Sequence, residues 1–81
     1  MKLIDFVERG LKRDLADYAN ALDIERFDMG LRVRLVKKVP MWKWREIDKI
    51  CRSWRLGRVD GETWEATILP EEELRLSDMA V

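Results

Sequence analysis

The chain has no histidine and only one cysteine, Cys51, among its 81 residues. The first absence removes the side chain that most often serves as general base and metal ligand, so Ser-His and Cys-His nucleophilic catalysis in their usual forms are excluded. A single cysteine cannot close an internal disulfide or furnish a zinc site of the usual cysteine and histidine ligands. The fold must stand without a covalent staple, and a reducing compartment is its natural setting. Glycine is scarce too: Gly10, Gly30, Gly57 and Gly61 are isolated, so no glycine-rich loop is available to cradle a phosphate. No apolar run approaches the roughly 20 residues that span a bilayer. The first nine residues carry charges every few positions and supply no uninterrupted apolar segment of a secretory signal. Carboxylates are plentiful, but they have the spacing of surface residues, and so short a chain has little room for an active-site cleft. The expectation is a cytoplasmic protein without membrane segment, catalytic residue, cofactor or metal.

What the chain has in abundance is charge. Charged residues make up 40% and hydrophobic residues 47%, which leaves little neutral polar filler but lies within the globular range. A chain of this length buries only about 60 to 65% of its unfolded surface, enough for one core and not two. A single domain over residues 1–81 is expected, with 77–81 as a frayed tail. Sixteen basic and sixteen acidic residues cancel, yet they are segregated along the chain. Residues 34–58 hold nine basic side chains against Glu46 and Asp48, a net of +7, whereas residues 59–81 hold Arg75 against seven carboxylates, a net of −6.

Ile4, Val7, Leu11, Leu15, Tyr18 and Leu22 recur at steps of three and four, which predicts one long amphipathic helix. Asp5 and Glu8 have the spacing of a capping box at its start. Gly10 inside it costs about 1 kcal/mol relative to alanine and calls for a closely packed neighbour. Asp28-Met29-Gly30 reads as the turn of a hairpin with glycine in a left-handed conformation, the alternative being that the first helix runs on and Gly30 ends it. Leu31, Val33 and Leu35 alternate with Arg32 and Arg34, the pattern of a half-buried strand over 31–38. Pro40 stops that strand and opens a second helix, from about 42 to 55, whose core stripe is Trp44, Ile47, Cys51 and Trp54, with Gly57 placed to end it. Val59-Asp60-Gly61-Glu62 predicts a hairpin on a two-residue type I′ turn, and Trp64, Ala66 and Ile68 alternate on the returning strand. Glu71 to Glu73 after Pro70 suit one helical turn. The sum is an α+β domain, a long N-terminal helix and a second helix packed on one face of a three- or four-stranded antiparallel sheet.

Among candidate functional residues, Cys51 sits near Lys49 and Arg52, which favours a thiolate, but its place in the apolar stripe marks it as a small buried hydrophobe. Opposite that stripe, Trp42, Arg45, Lys49 and Arg52 share one side of the second helix at 100° per residue. Arg34 and Lys38, with Arg32, are expected to enlarge the same basic region. Any amphipathic surface helix carries charges opposite its core stripe, and Trp42 in that case only staples the helix start. Tryptophan on a solvent face without a partner is uncommon, however, and arginine, lysine and an indole together suit an acidic partner.

The preferred reading is a non-catalytic protein-interaction module or small inhibitor that docks on an acidic protein surface through Trp42, Arg45, Lys49, Arg52, Arg34 and Lys38. The alternative is a nucleic-acid-binding domain using the same face; zero net charge and an acidic end argue against it, since counterion release needs cations presented without nearby anions. A small enzyme is the lesser alternative. Chains this short and charge-dense are common among inhibitors carried by phages and mobile elements, an association that supplies no mechanism.

Overall fold

The computed structural model describes residues 2–27 and 29–68. The helical turn expected at 71–73 and the tail expected at 77–81 lie outside them.

The first apolar stripe folds as helix α1 (Leu3–Asp14), which buries Val7 and Leu11. It starts two residues before the expected capping box. Lys2 is the N-cap and makes no side-chain cap bond, while Asp5 and Glu8 are turned sideways to accept from Arg26 Nη1 at 2.8 and 3.4 Å. The predicted stripe through Tyr18 and Leu22 is not one helix: α1 stops at Asp14 and a 3-10 helix, Ala16–Ala21, follows. Leu15, at the junction, is still buried, and Leu22 reaches the same core from a strand. A step of three or four residues cannot tell these cases apart, because both elements turn their apolar residues to one interior.

Strands β1 (Leu22–Phe27), β2 (Gly30–Leu35), β3 (Gly57–Asp60) and β4 (Thr63–Thr67) form one antiparallel sheet in the order β1-β2-β4-β3. Period-two alternation sorts its faces. Leu31, Val33 and Trp64 are fully buried on one side, and Arg32, Arg34 and Glu65 lie on the other. Helix α2 (Met41–Ser53) follows Pro40, its N-cap, and joins α1 on the apolar face, where Ile47 and Cys51 meet Leu11, Leu31, Val33 and Trp64. The α+β layout with helices on one face and a four-stranded antiparallel sheet is thus as expected. The hairpin between β1 and β2 is also the one predicted, although β2 ends at Leu35 rather than at residue 38.

Tryptophan side chains join the layers. Trp64, 0% exposed, donates from Nε1 to Asp48 Oδ1 of α2 at 2.9 Å, and Trp44 of α2 donates to the Gly61 carbonyl in the β3–β4 turn at 2.8 Å. Trp54, just past α2, lies over α1, donates to Asp14 Oδ2 at 2.9 Å and meets Phe6 edge-on with ring centroids 5.6 Å apart. A Cβ added at Gly10 would lie 2.2 Å from the Trp54 ring, so glycine there is the slot that lets the indole reach the helix backbone.

The other glycine assignments change. Gly30 has no positive φ; it opens β2, where an added Cβ would meet the Ala66 carbonyl oxygen across the sheet. Among the described residues no glycine is left-handed, so the β3–β4 connection is not a type I′ turn. It falls one residue later than predicted, at Gly61-Glu62, and Asp60 contributes by accepting the Glu62 N–H at 2.8 Å. Val59 is the extra residue of a bulge, since Arg58 pairs with Trp64 and Asp60 with Thr63.

Helix α2 ends on Arg55, not on Gly57. Arg55 has φ 67°, its N–H bonds to the Arg52 carbonyl at 2.9 Å, and the Leu56 N–H reaches back to the Cys51 carbonyl at 3.0 Å. This is a Schellman closure with buried Leu56 as its apolar clasp and arginine at the position that normally takes glycine. The left-handed conformation costs a residue with a Cβ about 1 kcal/mol.

Candidate docking face on the second helix

Packing Ile47 and Cys51 against the sheet fixes the rotation of α2 and turns Trp42, Arg45, Lys49 and Arg52 outward, all exposed. Over ten residues the stripe runs about 15 Å. Trp42 is 61% exposed and its neighbour Met41 62%, two large apolar side chains in water at the first turn. The contrast with the remaining tryptophans is direct. Trp44, Trp54 and Trp64 each donate their indole N–H to a partner in the fold. Trp42 has no such partner among the described residues. Lys43 Nζ lies 5.6 Å from its ring centroid and 5.9 Å from that of Tyr18.

The cations of the stripe differ in their commitments. Arg52 reaches Asp48 Oδ2 at 3.4 Å, one turn back, and Asp48 is the carboxylate that also holds Trp64. Arg45 and Lys49 form no ion pair among the described residues. Two acidic residues share the helix with them: Glu46, exposed, and Asp48, which is bonded to Arg52 and Trp64.

The structure separates the two residues expected to widen this region. Lys38 is exposed in the loop ahead of α2 and, with Lys37, Trp44 and Glu62, borders a hollow at the N-terminal end of the helix. Arg34 does not belong to the region. It lies on the sheet face away from both helices, where its Nη2 is 3.6 Å from Asp23 and 3.3 Å from Glu25. Arg32 shares that fate, bonded to Glu65 and Glu25. The reason is register: Arg32 and Arg34 stand opposite Glu25 and Asp23, so the open sheet face is a ladder of internal ion pairs.

Cys51 is buried, and desolvation, with the nearby Asp48 carboxylate adding to it, pushes its thiol up to about 12. It is a core side chain and not a nucleophile. Two cations that the sequence reading passed over, Arg55 and Arg58, gather with Arg52 and Asp48 around an open hollow beyond the end of α2. Only the left-handed turn at Arg55 brings them together, and an arginine in that position leaves no signal in the sequence.

Compared with known protein families, curated proteins and solved structures, the chain shows no match to any of them. Among the described residues no helix is long and apolar enough to cross a membrane.

Proposed function

We propose that this protein is a non-catalytic interaction module, of the small-inhibitor kind, that docks on an acidic protein surface through the outer face of α2. The observation that carries the reading is Trp42: of four tryptophans it alone is exposed and without a hydrogen-bond partner among the described residues, and it shares its helix face with Arg45 and Lys49, which are also uncommitted. Tryptophan, methionine and arginine are the residues enriched at the centres of protein interfaces, and Met41-Trp42 beside Arg45 is that combination. The charge supports a protein partner over nucleic acid. Glu46 and Asp48 share the helix, and tracking a phosphate backbone calls for cations free of such company. Lys38 stands in the loop ahead of the helix, and Arg52 closes the face at its C-terminal end.

The test is quantitative capture of binding proteins by immobilised wild type and by Trp42→Ala. Truncation of a central anchor weakens binding at least 10-fold, while the melting temperature stays within about 2 °C because the ring packs on little. Equal capture of the same proteins by both forms would remove Trp42 from the interface.

A further inference from the structure

Around the end of α2, three arginines and one aspartate border a single open hollow of about 400 Å³: Arg52 from the helix, Arg55 from the turn after it, Arg58 from β3, and Asp48. Arginines near a helix C-terminus often serve its carbonyls, but here three of the last four carbonyls already have partners. The Ile50 carbonyl accepts from Ser53 Oγ and Trp54 N, that of Cys51 from Leu56 N, and that of Arg52 from Arg55 N. Asp48 is also occupied, accepting from Trp64 Nε1 at 2.9 Å and from Arg52 at 3.4 Å. Arg55 and Arg58 have no carboxylate partner among the described residues, although Arg58 also lies 5.5 Å from the Trp44 ring centroid. Finally, Arg55 occupies a backbone conformation with φ 67° that glycine would adopt without strain. Arginine therefore holds this turn at a conformational cost that glycine would not incur.

We propose that this hollow is a binding subsite for a phosphate monoester dianion. Three guanidinium groups against one carboxylate leave a local charge of +2, which a phosphate monoester neutralises and a single carboxylate does not. Each guanidinium fork matches a pair of terminal phosphate oxygens, and a monoester presents three such oxygens to groups arriving from helix, turn and strand. A phosphodiester carries one charge and two terminal oxygens, so the site favours a terminal phosphate over a nucleic-acid backbone. The subsite shares Arg52 with the docking face, whereas Arg55 and Arg58 lie outside the stripe that carries Trp42, so Arg55→Gly tests the subsite without touching that face.

The experiment is a titration of the full chain, at constant ionic strength and pH 7.5, with inorganic phosphate, a phosphoserine peptide, its unphosphorylated parent and acetate, read from arginine Nε–Hε resonances. Inorganic phosphate and the phosphopeptide are expected to shift Arg52, Arg55 and Arg58 saturably, and the parent peptide and acetate not to; tighter binding of the peptide than of free phosphate identifies a protein-borne phosphate as the source. Affinity falls at least 10-fold in Arg55→Gly although that variant melts higher, and it falls as pH drops below about 6, where the second phosphate proton returns. Shifts spread evenly over all exposed arginines, equal binding of acetate, or unchanged affinity in Arg55→Gly would each overturn the proposal.

Discussion

At the scale of single residues, the packing around Trp54 makes two predictions. Gly10→Ala places a methyl group 2.2 Å from a ring held on its other sides by Phe6 and Asp14, and a rigid indole does not yield as a flexible chain does. The cost is about 3 kcal/mol, at the upper end of overpacking substitutions, measurable by urea denaturation. The second concerns acid. The Trp54 N–H and then the Arg13 side chain hold the Asp14 carboxyl below its ordinary value of 3.8. A carboxyl with a lowered folded pKa adds stability that is fully present above the ordinary value and is lost as pH falls through the lower one. Asp14→Asn keeps an oxygen acceptor for the indole but cannot titrate. Its melting temperature should therefore fall less than that of wild type between pH 5 and pH 2, and parallel curves would show that the bond does not discriminate the charged form.

At the scale of elements, what was legible in the sequence was periodicity. Period two gave β2 and β4 their faces, and the spacing of Trp44, Ile47, Cys51 and Trp54 gave α2 its rotation, so the exposure of Trp42, Arg45, Lys49 and Arg52 was readable before any coordinates. Junctions were not. At the break after Asp14 the carboxylate accepts from an indole forty residues away, and the left-handed residue after α2 is an arginine with no compositional mark. Arg34 was misplaced because alternation tells that a residue faces away from the core, not which charges of the next strand face it. Asp23 and Glu25 do, and they consume its charge. The Schellman turn yields its own prediction: Arg55→Gly relieves the left-handed strain and stabilises the protein by about 1 kcal/mol, a rise of roughly 4 °C in melting temperature for a domain this small. A fall instead would mean that the guanidinium makes a stabilising contact within the fold.

At the scale of the whole molecule, the electrostatic design is a protein of zero net charge with its cations sorted by location. Those on the open sheet face are spent on internal pairs, Lys12 and Arg13 of α1 face Glu8 and Asp14, and the outer face of α2 keeps Arg45 and Lys49 in reserve. Such a molecule should bind nucleic acid poorly at physiological salt. Fluorescence anisotropy with mixed DNA and RNA at 50 and 200 mM salt should show weak binding at most, and a steep loss of tight binding with salt would instead favour the nucleic-acid reading. The docking claim itself is tested most directly by reversing charge on the one face held to be functional. Arg45→Glu/Lys49→Glu, compared with wild type and with Lys12→Glu on α1, should keep its melting temperature within about 2 °C, because neither side chain has an ion-pair partner among the described residues. The double variant is expected to lose at least 90% of the partner captured by wild type, while Lys12→Glu retains it. Full retention by the double variant would contradict the assignment of the α2 face.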